Sequence, residues 1–474
     1  MIKVRLLSFY NSGEAYCCKY SLASLRLAAY VQDLDEIEIS IETVDCANQE
    51  DSVAQIIERL NLEQADLIGI SAYIWTWEMA KQISHGLMRN NGVTVLIGGP
   101  EVINRSVNDW FGDEIFVYGE GEKLFRELCL LKESGITNKQ LLEMGEISNA
   151  KRYGKKYIVE KNCDIFYKSP IFFDEFFKKL KITDYPTDFS YYEATRGCPY
   201  KCGYCGHKVR SKIASFDDDF INAEIEYIGK LGIKEVFIID PILGGTPKKG
   251  KRILENFIKY APDTELTAYL RPEYLDDEYL EILSRSNIKE LRIGVQTVNE
   301  NVPRWIRDND INKILNTLPK LTETGIGWRA ELIVGLPGDN MDGLKNSIKF
   351  ILKEVHPTFI HAYHLTVLPE TELYSMVDNQ GDKWIKIDPV KFRALESYSY
   401  SDKEMIEMVR FASMITALYN SYAYKIENKT LNNAPDYEKL EKIVNDNLFA
   451  FQEDKFLHYS ECVDYWKHVK QYST

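Results

Sequence analysis

The chain has 474 residues, too many for one ordinary domain, and 45% of them are hydrophobic, enough to bury large cores. A formal charge of −14 argues against a general nucleic-acid binder, which needs a basic footprint. No apolar run approaches the roughly 18 residues of a bilayer span, and MIKVRLLSFYNSG reads as a first strand, not a signal peptide, so a cytoplasmic protein without a membrane partner is expected.

Through residue 135 strands and helices alternate. IKVRLLSF, IEISIETVDC, ADLIGISAYIW, VTVLIGGPE and EIFVY have strand character, and SLASLRLAAYVQDL, SVAQIIERLNLEQ, WEMAKQISHGLMRNN and EKLFRELCLLK are helical. Buried strands separated by helices predict an α/β fold, a doubly wound parallel sheet covered on both faces. Its glycine-rich turns, Gly98–Glu101 and Gly119–Glu122, fall at strand carboxyl ends, where such sheets bind ligands. The adjacent Cys17 and Cys18 read as small buried residues at a helix start.

Residues 136–186 lose that rhythm and read as a connector. It resumes over 187–400 with FSYYEATRGC, EVFIIDP, TELTAYLRPE, ELRIGVQT, WRAELIVGLPG and FIHAYHLTVLP. Six strands, each followed by a helix, predict a partial (β/α)6 barrel with functional groups at the strand ends. Residues 401–474 are helical and aromatic-rich.

Nine cysteines in an unsecreted chain are expected to be thiols or metal ligands. Three of them, Cys198, Cys202 and Cys205 in TRGCPYKCGYC, follow the first barrel strand with x3 and x2 spacing. Structural zinc wants four ligands, and His207 is the available fourth. A [4Fe–4S] cluster is also normally held by four thiolates, so three on one loop leave one iron open to a ligand that is not protein.

RGCPYKCGYC resembles the cluster loop of the radical S-adenosylmethionine (SAM) superfamily, with Tyr204 as the aromatic before the last cysteine. In that family SAM chelates the open iron, and one electron cleaves it to methionine and a 5′-deoxyadenosyl radical that takes a hydrogen atom from substrate. The resemblance implies SAM contacts at Asp240 of FIIDPILGG, although the common pattern there is GGE. It also implies contacts at Gln296 of GVQT (ribose), Arg307 of PRWIRDND (methionine carboxylate) and Glu331 of AELIVGLPG (ribose hydroxyls). The backbone from Val334 to Leu336 would lie on adenine, and Arg271 of YLRPE sits at another strand end. It further implies an electron donor such as a flavodoxin or ferredoxin.

The N-terminal segment resembles the cobalamin-binding domain of one branch of that family, through SLASLRLAAYV, DLIGISAYIW, VLIGGPEV and VYGEGE. The resemblance implies a corrinoid lined by Ser71, Tyr73, Gly98, Gly99, Glu120 and Gly121. The DxHxxG motif of other cobalamin proteins is absent, and His85 reads as a surface residue. The alternative is a relict sheet that only docks substrate. The leading expectation is cobalamin-dependent C-methylation of a peptide or small natural product. The runner-up is epimerisation of a ribosomally made peptide, which needs a thiol hydrogen donor such as Cys462. A zinc-stabilised binding module is the third reading. His361 and His364 in HAYHL are expected to be satisfied core histidines, the alternative being that one faces the barrel interior.

Overall fold

The structure is a computed structural model that describes residues 1–13, 17–47, 51–73, 75–87, 93–104, 110, 113–148, 150–153, 156–159, 174–209, 213–427, 435–451 and 456–468. The chain divides into two compact units. One comprises Met1–Arg196, Val209–Ile238 and Asn256–Glu265, and the other Gly197–Lys208, Ile239–Glu255 and Leu266–Thr474.

The first unit opens with β1 (Ile2–Tyr10), α1 (Leu22–Val31), β2 (Ile37–Asp45), α2 (Val53–Arg59), β3 (Leu67–Ser71), α3 (Trp77–Leu87), β4 (Thr94–Gly98), α4 (Glu101–Asn104), β5 (Ile115–Tyr118) and α5 (Glu122–Glu133). These strands pair in parallel in the order β2-β1-β3-β4-β5. Val4, Leu67, Ile68, Val95, Ile97 and Phe116 are fully buried, as a sheet covered on both faces requires. The hydroxyl of Ser21 accepts from Ser24 N and starts α1, while Ser52 and Gln55 form a capping box on α2.

The stretch expected to be a connector is partly sheet. After α6 (Asn138–Glu143), β6 (Glu146–Ile147), β7 (Ala150–Tyr153) and β8 (Lys156–Val159) form an antiparallel meander, and β8 pairs in parallel with β5. Buried Tyr157 holds it, its hydroxyl donating to Leu141 O at 2.7 Å and Met144 O at 3.0 Å. Strands of two to four residues show too little alternation for their pairing to be read from sequence.

The unit continues with α7 (Asp174–Lys179), β9 (Phe189–Tyr192), β10 (Thr195–Arg196), β11 (Ala214–Ser215), α8 (Asp218–Leu231) and β12 (Glu235–Ile238), β9 and β12 being parallel. A buried ion pair ties α1 to α8. Arg26 (1% exposed) meets Glu224 (0%) through two nitrogens, at 2.8 and 3.2 Å, with its guanidinium 4.4 Å from the Phe216 ring centre. That fork satisfies two charges that would be costly alone.

The barrel units continue through α9 (Pro247–Tyr260), β13 (Glu265–Leu270), α10 (Asp277–Arg285), β14 (Ile288–Gln296), α11 (Ile311–Glu323), β15 (Trp328–Val334), α12 (Met341–Phe350) and β16 (Phe359–His364). Strands β13 to β16 pair in parallel in chain order. Strands β9 and β12 of the first unit and β13 to β16 of the second are the six strands expected of a partial (β/α)6 barrel. A small hairpin of β17 (Ile385–Ile387) and β18 (Ala394–Ser397) leads into α13 (Asp402–Glu427), α14 (Tyr437–Asn447) and α15 (Tyr459–His468). Helix α13 packs on β16, α14 and α15. Among the described residues no helix is long and apolar enough to cross a membrane.

Candidate functional site

The cysteine loop belongs to the second unit. Gly197 enters it with φ +90°, a conformation glycine adopts without penalty. At the loop's centre Gly203 N donates to Trp305 O and Ile306 O at 3.0 and 3.1 Å, and Gly203 O accepts from Leu373 N at 2.9 Å. A Cβ at Gly203 would stand 2.6 Å from the Trp305 ring, so only glycine allows this approach. Cys198, Cys202 and Cys205 are partly buried free thiols. Burial, reinforced by the neighbouring thiols, pushes Cys198 up and Cys205 up to about 11. A metal that takes these sulfurs must displace their protons.

Positive charge is arranged to favour that. Arg271 Nη1 lies 3.8 Å, and Arg307 Nη1 3.6 Å, from Cys202 Sγ. Arg271 is itself held by Glu273 at 2.9 and 2.6 Å and by Asp308 O at 3.0 Å, with its guanidinium 3.6 Å from the Tyr200 ring centre. Arg307 donates to Asn309 Oδ1 at 2.8 Å and to Gly294 O, and stands 3.5 Å from the Tyr204 hydroxyl. The resemblance assigned Arg307 to a methionine carboxylate; in the structure its nitrogens are directed to the loop and to β14. A half-open cavity of about 750 Å³ adjoins this corner, lined by Tyr200, Glu273, Asn299, Arg304 and Arg307 among others.

The remaining strand ends differ in how open they are. Asp240 is fully buried and accepts from Gly244 N at 3.0 Å, so it closes its own loop instead of presenting a free carboxylate. Gln296 ends β14 beyond a register shift, with φ +70°, and its Oε1 is buried without a hydrogen-bond partner. A strained residue carrying an unsatisfied acceptor marks a place where a ligand donor fits. Glu331, opposite Gly294 on β14 and His361 on β16, accepts from the Tyr363 hydroxyl at 3.4 Å. Burial raises its carboxyl, and Arg292 and Arg329 oppose that rise. Val334 and Leu336 are buried, and their carbonyls accept from Leu365 N and Asp339 N.

Sequence reading missed the partners. Glu273 and Asn309 fix the two arginines, and Glu290 binds both Arg292 and Arg329, at 2.9 and 2.7 Å. The signal for Glu273 was present in RPE, an Arg and a Glu flanking a proline at a strand end. Asn299 donates to Asp339 at 2.7 Å, joining the loops after β14 and β15.

In the first unit the predicted corrinoid edge consists of turns. Ala72 N donates to Gly98 O at 2.7 Å, and the Thr76 hydroxyl closes the next turn on Tyr73. Gly99 has φ +98°, and a Cβ there would lie 2.5 Å from Ala72 O, whereas Gly98 faces open space. Tyr73 and Trp75 are exposed and stacked, ring centres 6.0 Å apart. Ser71 ends β3, and Gly121 is the N-cap of α5. The Glu120 carboxylate lies 3.6 Å from Arg196, which also binds Glu122 at 2.6 Å and Glu193 at 2.8 Å. His85 is exposed on α3, as expected.

The other candidate donors are packed away. Cys462 is fully buried in α15, where burial pushes its thiol up to about 12. Cys18 and Cys129 are also buried, Cys17 and Cys46 partly so, and Cys163 lies outside the described residues. The Cys17–Cys18 pair precedes α1, which begins only at Leu22, so it is not a helix start. His361 lies against Tyr363 and Tyr459, and His364 meets Ala394 O at 2.6 Å, so both histidines are packed. His207 is exposed, and among the described residues no three His, Cys, Asp or Glu side chains converge on one ion.

Residues 192–351 match the Radical SAM superfamily, and residues 14–129 match the B12 binding domain. The chain is 23% identical over 352 residues to 2-(S-pantetheinyl)-carbapenam-3-carboxylate methyltransferase of Streptantibioticus cattleyicolor, covering 65% of this chain and 48% of that protein. It is 22% identical over 366 residues to the cobalamin-dependent radical SAM methyltransferase TokK of Streptomyces tokunonensis, with the same coverages. The chain thus spans about half the length of these curated relatives. The structure of the cobalamin-dependent SAM radical enzyme OxsB, with aqua-cobalamin and SAM bound, shares this fold. Its TM-score is 0.69 at 15% identity, covering 100% of this chain and 76% of that one. The methyltransferase TsrM of Kitasatospora setae, with cobalamin and a [4Fe–4S] cluster, gives 0.65 at 13% identity, covering 94% and 100%.

Proposed function

Because the chain belongs to the radical SAM superfamily, in the branch with an N-terminal cobalamin-binding domain, we propose that it is a cytoplasmic cobalamin-dependent methyltransferase acting on an unactivated carbon of a peptide or small natural product. A [4Fe–4S] cluster, SAM and cobalamin are the cofactors of that branch, and a flavodoxin- or ferredoxin-type protein is the proposed electron donor. The observation that carries the reading is the Cys198, Cys202 and Cys205 loop, three thiols beside two guanidiniums.

When bound, these groups supply one electron for opening the SAM sulfonium and a methyl group for transfer. The protein's share is positional. Cys198, Cys202 and Cys205 would hold the cluster, and Gly203 anchors the loop to Trp305 and Ile306. Gln296 offers its unpartnered Oε1 to a ribose hydroxyl, and Glu331, which accepts from the Tyr363 hydroxyl, offers a second carboxylate oxygen. In the first unit, stacked Tyr73 and Trp75 give a corrin ring an aromatic support, and Gly98 and Gly99 give it a side-chain-free edge. Epimerisation is the weaker reading, because its proposed donor, Cys462, is fully buried.

Anaerobic reconstitution with iron, sulfide and hydroxocobalamin tests this. The expected protein carries one cluster and one corrinoid, forms 5′-deoxyadenosine under reduction, and passes label from methyl-deuterated SAM to product. A product whose mass is unchanged in ordinary water, and which takes up one deuterium in deuterated water, would replace methylation by epimerisation.

A further inference from the structure

Cys202 receives two guanidinium contacts, from Arg271 and Arg307 at 3.8 and 3.6 Å. Both arginines are largely buried and tightly held. Glu273 takes Arg271 in a two-point fork, and the ring of Tyr200 lies against its face. Asn309 and Gly294 hold Arg307. Loop packing alone does not need two mutually repelling guanidiniums at one sulfur, since Gly203 already pins this stretch by three backbone hydrogen bonds.

We propose that Arg271 and Arg307 are positioning residues that set the reduction potential of the cluster through its Cys202 corner, with Glu273 as the counterweight that limits how far they raise it. The inference rests on the cluster reading above. Reduction adds negative charge to an already anionic group of sulfurs, so N–H···S contacts and nearby positive charge stabilise the reduced form. Two arginines raise the potential, and the carboxylate of Glu273 partly cancels them. The site therefore tunes how readily a biological one-electron donor loads the cluster.

The test is a redox titration of the reconstituted protein, without substrate, followed by electron paramagnetic resonance. R271Q and R307Q should each lower the midpoint, cutting the reduced-to-oxidised ratio at a fixed potential about tenfold, which is about 59 mV for one electron. E273Q should move it the opposite way. Midpoints unchanged in variants that hold full iron and sulfide would overturn the proposal. Should a Gln variant fail to hold a cluster, E273Q, which keeps both guanidiniums, decides: a raised midpoint supports the tuning role and a wild-type midpoint refutes it. If the unsubstituted protein assembles no [4Fe–4S] cluster, it is the cluster reading that has failed, an outcome distinct from either of these.

Discussion

The two units build their candidate sites from different materials. In the first, the ligand edge is mostly backbone: Gly99 turning at φ +98°, Gly98 facing open space, and two exposed aromatics beside them. In the second, the site is side chains held by other side chains, such as Arg271 by Glu273, Arg307 by Asn309 and Glu331 by Tyr363. A large flat ring needs a surface of the right shape, which glycine turns provide. A small charged ligand and a redox centre need groups aimed in advance, which requires a supporting shell of ion pairs and hydrogen bonds.

Substitutions sharpen that contrast. The largest expected effect is in the second unit: C198A should abolish cluster assembly and 5′-deoxyadenosine formation, measured by iron content and chromatography, while corrinoid binding survives. Next is scaffold. R26A should cost about 3–5 kcal/mol in chemical denaturation, because it strands the Glu224 charge inside the first unit. Gly99→Ala should then weaken corrinoid binding and cost more than about 1 kcal/mol, since its Cβ would strike Ala72 O and its φ would be strained. W75A, which removes one exposed ring and leaves the turn, should weaken corrinoid binding no more than about tenfold in equilibrium dialysis. A larger loss for W75A than for G99A would contradict a backbone-built edge.

The smallest effect is in pH dependence. Burial, aided by Arg329 and Arg292, holds His361 down to about 4 from an ordinary value of 6.5. The unfolded histidine binds its proton first, so this contribution is full above pH 6.5 and is lost as pH falls towards 4. Asp339 works the other way. Burial raises it from 3.8 to about 6, so its contribution is present below 3.8 and is lost as pH rises to about 6. In thermal melts between pH 4 and 6.5, H361Q should therefore flatten the loss of stability on acidification, and D339N should steepen it. Parallel curves for both variants would remove these two groups from the account.

Much of this was legible in the sequence, for identifiable reasons. Cysteine spacing and strand-end position are local properties, so the cluster loop, Gln296 and Glu331 were found where the chain places them. Periodicity reports which face a residue takes, not whom it meets. Arg307, expected at a SAM carboxylate, also reaches Cys202, and Glu120, expected at a corrinoid, also binds Arg196. Asp240 turned inward because the two left-handed glycines after it, Gly244 and Gly245, bend the loop back over its carboxylate. The antiparallel pairing of β6 to β8, and the parallel pairing of β8 with β5, were not readable because strands this short do not declare their partners.

The central claim is most directly tested by the electron paramagnetic resonance spectrum of the anaerobically reduced protein before and after SAM is added. A cluster held by three cysteines, with one iron free for that ligand, predicts a [4Fe–4S]⁺ signal whose g-values change on addition. A [4Fe–4S]⁺ signal that SAM leaves unaltered, or no cluster signal at all, would contradict it.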